Sequence, residues 1–320
     1  MRCPFRSVLI SALASGLGIL FAFATGPTAQ AQSPQDEKTS TSPAAQSGTQ
    51  SAERGAQIQP GTSRPKIGIA LEGGGALGLA HIGVLQWFED HHIPIDYVAG
   101  TSMGGLVGGL YATGKSPEQL KEIVAAQKWD IIIGGDIPYE DLSYRRKEDL
   151  SYIQNSLKLG LKHGLSTPSG LNSGTEISLL IDRETVSYPS LDSFDHLPIP
   201  FRCVATDLVS GKEVVFSNGS LQQALRATMS MPGVFSPVRD GDKIYVDGGL
   251  VGNLPTEVVK KMGADIVIAV HLEVAPADPQ KIQSLFSVLG RSVDVVVLES
   301  ELRGLKNADI VVTVPLEKYN

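Results

Sequence analysis

Two hydrophobic periods alternate along this chain. Short, nearly continuous apolar runs stand at 66–71, 97–101, 201–206, 243–246, 266–271 and 310–314. Runs of that length, rich in β-branched residues and interrupted by glycine and charge, predict buried strands. Between them the spacing lengthens to that of a helix. Leu79, Ile82, Gly83 and Trp87 share one face of a predicted helix at 76–90, and a second helix is predicted at 103–113. Ser116 opens a third, with Pro117 at its first position and Gln119 completing a capping box. Further helices are predicted at 224–229, 256–262 and 282–302, the last carried by Ile282, Leu285, Leu289, Val293, Val296 and Val297. Strands and helices in alternation predict an α/β domain whose mainly parallel sheet is covered on both faces.

Residues 131–172 break the rhythm. Ile131, Ile132 and Ile133 are followed by a charged cluster, then by Leu159, Leu161, Leu165 and Leu171 among glycines. An ordinary insertion packed on the core and an apolar flap over a site both fit this pattern.

The ends have a different character. Arg2 and Arg6 precede an apolar stretch at 8–24, and Ala29-Gln30-Ala31 follows. Basic, apolar, then small-x-small is the order of a signal peptide, with cleavage expected after Ala31. A transmembrane anchor is the competing reading, but the stretch is marginal for the ~20 residues a span needs. Residues 32–64 are rich in Ser, Thr, Gln, Ala, Pro and Gly, the composition of a solvated linker. One domain, 65–320, is then expected, in a secreted, periplasmic or outer-membrane setting. Cys3 would leave with the signal, so Cys203 would stand alone and no internal disulfide could form. The net charge is −7, aromatics make up 6% of the chain, and the one basic run is Arg145-Arg146-Lys147. Nucleic acid is therefore not an expected partner.

Three motifs bear on chemistry. Gly100-Thr101-Ser102-Met103-Gly104 fits Gly-x-Ser-x-Gly at a predicted strand-to-helix turn, where the serine hydroxyl is held out at the sheet edge. The Met103 amide at the helix start can face a developing oxyanion. Earlier, Glu72-Gly73-Gly74-Gly75-Ala76-Leu77-Gly78 follows the first strand, where exposed amides suit an anion. The same string satisfies Gly-x-Gly-x-x-Gly. A dinucleotide site, however, wants an acid at the end of the second strand, and Asp96 precedes that strand. A plain tight turn is the other alternative. Lastly, Val246-Asp247-Gly248-Gly249 puts a carboxylate at a strand end. Among the six histidines, His271 ends a later strand, so Ser102, Asp247 and His271 have the chain order of an α/β-hydrolase triad. No close histidine pair suggests a metal site.

Together these motifs resemble the patatin-like phospholipase family, bacterial members especially. The likeness extends through Ala80-His81-Ile82-Gly83-Val84-Leu85, through Ala227-Thr228-Met229-Ser230-Met231-Pro232-Gly233-Val234-Phe235, and through Asn253-Leu254-Pro255, spanning about 66–315. The resemblance implies a three-layer α/β/α fold and a Ser-Asp dyad. Ser102 would attack an ester carbonyl and Asp247 would take its proton. Backbone amides of Gly73, Gly74, Gly75 and Met103 would form the oxyanion hole. No cofactor or metal is implied. The implied substrate is a phospholipid or lysophospholipid at a membrane surface, with 131–172 as a candidate flap. Oligomeric state is left open. A general esterase or acyltransferase, and a non-catalytic lipid-binding module, are the competing functions. One departure is Leu77, where the family commonly carries Arg or Lys. The chain also stops at Asn320, where family domains continue, leaving open a fragment or the first part of a longer secreted protein. From composition alone, deleting 32–64 should shift Tm by no more than about a degree in a thermal melt.

Overall fold

The computed structural model describes residues 64–134, 144, 147–148, 170 and 172–319. The expected signal peptide, nearly all of the expected linker and most of the 131–172 insertion lie outside the described residues. The elements run β1 (Ile67–Leu71), a 3-10 turn (Gly75–Ala80), α1 (His81–Asp90), β2 (Tyr97–Thr101), α2 (Met103–Ala112), α3 (Pro117–Ala125) and α4 (Trp129–Gly134). After the insertion come α5 (Thr175–Glu184), β3 (Phe201–Asp207), β4 (Lys212–Phe216), α6 (Leu221–Thr228), β5 (Val238–Asp240) and β6 (Lys243–Asp247). The chain closes through α7 (Gly249–Gly252), α8 (Thr256–Lys261), β7 (Ile266–Glu273), α9 (Leu285–Lys306) and β8 (Ile310–Pro315).

Every strand read from an apolar run is present. β3, β2, β1, β7 and β8 lie side by side and all parallel, with Thr101 beside Val204, and Leu71 between Gly100 and Val270. β4 and β6 add to β3 antiparallel, and β5 to β6. The sheet is thus mixed and mostly parallel. β4 and β5 escaped the sequence reading. Lys212-Glu213 opens β4 with charge, and β5 has only three residues, two of them charged.

Alternate strand residues face opposite ways, and they sort into two cores. Ile69, Leu71, Val98, Phe201, Cys203, Ile268 and Val270 pack with α1, α2 and α6. Their neighbours Ala70, Ala99, Val204, Val267 and Ala269 pack with Leu254, Val258 and Val259 around α8. Helices therefore cover both faces, which is the expected three-layer α/β/α arrangement. All ten residues of α2 are buried, so the helix that follows Ser102 is fixed within the first core. The Ser116–Gln119 capping box is present.

The described residues begin at Arg64. Arg64 donates to both carboxylate oxygens of Asp96 at 2.7 Å, which holds Asp96 below its ordinary pKa. Asp96 also accepts the Ile67 amide at 2.8 Å. Arg64 is half exposed, so the pair contributes little.

Phe201 is fully buried against α2 and α6. Phe201→Ala should cost about 3–5 kcal/mol in urea unfolding, because the close-packed core cannot collapse onto the cavity.

Candidate active site

Ser102 sits between β2 and α2 with φ 54° and ψ −125°. A non-glycine residue at positive φ is strained, so the surroundings must impose it. The Ser102 amide donates to Thr228 Oγ1 at 2.8 Å, and that hydroxyl donates to the Val204 carbonyl at 2.5 Å. The Ser102 carbonyl accepts the Leu106 amide at 2.9 Å. The flanking glycines are sterically required. A Cβ on Gly100 would overlap the Gly104 carbonyl, and one on Gly104 would overlap the carbonyls of Leu71 and Glu72. Gly-x-Ser-x-Gly is thus the condition for folding α2 tightly back over the ends of β1 and β2.

β3 brings the carboxylate to this turn. Its Val204 pairs with Thr101, the residue before Ser102, and its next residue, Ala205, pairs with Asp247. Two distant strand ends therefore meet on successive residues of one strand. The Ser102 hydroxyl donates to Asp247 Oδ2. Asp247 Oδ1 accepts the Gly249 amide at 2.9 Å. The Asp247 main chain is held by Ser230 at 2.9 Å and Thr206 at 3.0 Å. Burial pushes the Asp247 carboxyl up to about 6, against the opposing pull of the Ser102 and Gly249 bonds.

His271 lies elsewhere. Its Nδ1 is 2.9 Å from Glu72 Oε2 and 3.3 Å from Glu301 Oε1. The bond to Glu72 raises its pKa. Burial, and then Glu72 beside it, push Glu301 up as well. Glu72, His271 and Glu301 offer ligand-type atoms within 4.8 Å of one another, the grouping among the described residues that could hold a metal ion. These atoms already bond one another, and Glu72 Oε2 also accepts the Leu272 amide at 2.7 Å. The trio comes from three distant segments, so no local spacing announced it.

The glycine loop calls for one correction. The Gly73 amide donates to the Asn253 carbonyl at 3.1 Å, so in this geometry it anchors the loop and is not free to bind an oxyanion. The Ser102 amide is likewise committed to Thr228. Gly74, Gly75 and Ser102 line one cavity of about 280 Å³, with Asp247, Met231 and Val297 among its other walls. Met103 opens α2, where first-turn amides have no intrahelical acceptor. Thr228, Asn253 and Ser300 were not assigned roles from sequence. The Ser300 hydroxyl accepts the Asn253 amide at 3.0 Å and donates to the Gly249 carbonyl at 2.8 Å.

The match to known proteins covers Ser102, Asp247 and the glycine loop. The model of the patatin-like phospholipase family matches residues 69–260, from β1 past Asp247 into α8. The chain belongs to the patatin-like phospholipase family. It is 31% identical over 221 residues to an uncharacterized NTE family protein of Mycobacterium bovis, covering 69% of this chain and 53% of that one. It is 33% identical over 206 residues to lysophospholipase NTE1 of Mycosarcoma maydis, covering 64% of this chain and 10% of that protein. The chain thus spans about half the length of the first relative and far less of the second. It is also similar to the crystal structure of VipD from Legionella pneumophila, with TM-score 0.45 and 16% identity over 80% of this chain and 62% of that one.

The patatin carboxylate makes a stability prediction. Asp247 has a folded pKa of about 6 against an ordinary 3.8, so its contribution is full below 3.8 and is lost as pH rises through about 6. Asp247→Asn should therefore be more stable than wild type at pH 8, by on the order of 1–3 kcal/mol. The gain should vanish near pH 3, as read from Tm at the two pH values.

Proposed function

We propose that this chain is a serine lipid acyl hydrolase with Ser102 as nucleophile and Asp247 as general base. The hydrogen bond from the Ser102 hydroxyl to the buried Asp247 carboxylate, on a strained elbow facing a cavity, carries this reading. Ser102 Oγ attacks the ester carbonyl while its proton passes to Asp247. Amides of Gly74, Gly75 and Met103 receive the oxyanion. Collapse breaks the ester bond, and Asp247 returns the proton to the departing alcohol. Water then gives a proton to Asp247 and attacks the acyl-enzyme, and Asp247 passes that proton to Ser102 Oγ as the fatty acid leaves. Asp247 must be ionised to start this cycle, so turnover should fall as pH drops through about 6. Burial moves the carboxylate into the histidine range, so a pH profile by itself does not tell a carboxylate base from a histidine base.

Phospholipids or lysophospholipids are the substrates we favour. The family description and the name of the Mycosarcoma maydis relative support that choice. α9 supports action at a lipid surface. It lines the cavity through Val293 and Val297 while Leu285, Leu289, Val296 and Leu302 stand exposed along it. Export through a signal peptide cleaved after Ala31 belongs to the same proposal and rests on the N-terminal composition.

Wild-type protein should label with a fluorophosphonate at Ser102 and release fatty acid from phospholipid vesicles. Ser102→Ala should lose both while staying folded. Asp247→Asn should lower turnover of p-nitrophenyl esters by ~10²–10⁴-fold, the usual worth of a positioned base. Turnover retained by folded Ser102→Ala would remove Ser102 as nucleophile. Absence of labelling in wild type would favour a non-catalytic lipid-binding module, and ester cleavage without vesicle products a general esterase.

A further inference from the structure

We propose that Glu72 and Asn253 are a positioning pair that holds the glycine loop in its oxyanion-binding shape. This inference rests on the hydrolase reading above. Glu72 is the residue before Gly73 and is buried. Its carbonyl accepts from His81 Nε2 at 2.7 Å. His81 is fully buried, which lowers its pKa to about 4, so the neutral ring donates through that nitrogen. The Glu72 side chain is held as firmly. Oε2 accepts from the Leu272 amide and lies against His271 Nδ1, while Oε1 accepts from Asn253 Nδ2 at 3.0 Å.

Asn253 then holds Gly73 from both sides of the residue. Its carbonyl accepts the Gly73 amide at 3.1 Å, and its Nδ2 donates to the Gly73 carbonyl at 3.3 Å. Gly74 and Gly75 follow directly, so the clamp sets where their amides point. The same Asn253 is bonded through its own amide to Ser300, which reaches the Gly249 carbonyl beside Asp247.

A second cavity, of about 460 Å³, is lined by Glu72, Gly73, Gly74, Asn253 and Glu301. Gly73, Gly74 and Asn253 also line the cavity at Ser102. The loop therefore borders both cavities, with Gly73 close against Asn253 and Ser102 and Gly74 close against Leu272. The Asn253 bonds fix its main chain in that narrow space, and a displacement of about 1 Å costs ~10²-fold in rate. Glu72 and Asn253 touch neither nucleophile nor base, so their effect should fall on turnover and not on binding.

The test is a double-mutant cycle with a soluble p-nitrophenyl ester, reading kcat and KM separately, alongside Tm and fluorophosphonate labelling of Ser102. Glu72→Gln leaves one acceptor oxygen, so the carboxamide cannot accept from Asn253 on one side and from Leu272 and His271 on the other. Asn253→Ala removes the Nδ2 bonds to the Gly73 carbonyl and to Glu72 Oε1, while keeping the backbone bond from the Gly73 amide and the Glu72–His271 contact. Each should lower kcat by ~10–100-fold with KM within about threefold, and the double variant should fall no further than the worse single one. Should Glu72→Gln fail to fold, the kcat and KM of Asn253→Ala decide alone. A folded Asn253→Ala enzyme with wild-type kcat, a loss confined to KM, or fully additive losses in the cycle would overturn the inference. Labelled wild type beside unaffected variants would sink this inference only. Unlabelled wild type would sink the hydrolase reading and this inference with it.

Discussion

The arrangement depends on the pairing of β3 with two strand ends at once. Parallel pairing with β2 stops at Thr101 opposite Val204, and antiparallel pairing with β6 reaches Asp247 opposite Ala205. Since strand register moves in whole residues, a slip of one position would turn every side chain to the other face. Apolar packing on both faces forbids that slip: Cys203 belongs to one core and Val204 to the other. The meeting of Ser102 and Asp247 is thus enforced by burial across the whole sheet and not by their own hydrogen bond.

That enforcement allows the site to hold what it otherwise would not. Ser102 keeps a strained backbone, and Asp247 keeps a carboxyl in surroundings that disfavour its charge. Neither would persist on a loop free to relax. The bonds that retain them come from elements already fixed by the core. Thr228 ends α6, Thr206 lies in β3, and Gly249 opens α7. Strain and desolvation are offset elsewhere in the fold, which is how a stable scaffold comes to carry a reactive pair.

Much of this was readable in the residues, and the gaps have physical causes. Buried strands announce themselves as apolar runs, so β1, β2, β3, β6, β7 and β8 were evident. β4 and β5 lie outside the parallel set and carry charge at their ends, which mixes their pattern. Ser102 and Asp247 stood out because glycines beside a strand end mark a tight approach. The Gly73 amide was assigned to the oxyanion hole because it belongs to the glycine string. Only the fold reveals that Asn253, 180 residues later, takes that amide. Glu72, His271 and Glu301 were unreadable for the same reason. Hydrogen-bond partners are set by tertiary contact, and a lone polar residue has no periodicity to betray it.

α9 shows how far such hidden partners organise the molecule. Ser300 bonds the segment after Asp247 and the amide of Asn253, while the neighbouring Glu301 meets His271 and Glu72 at the base of the glycine loop. One turn of one helix therefore joins the segment behind the proposed base to the segment behind the proposed oxyanion hole. One turn earlier, Val297 lines both cavities. The same helix exposes Leu285, Leu289 and Val296, all before Ser300. Its turn at Ser300 and Glu301 is bonded to both halves of the site and the stretch before it presents apolar side chains, so one continuous element from Leu285 to Lys306 carries both features.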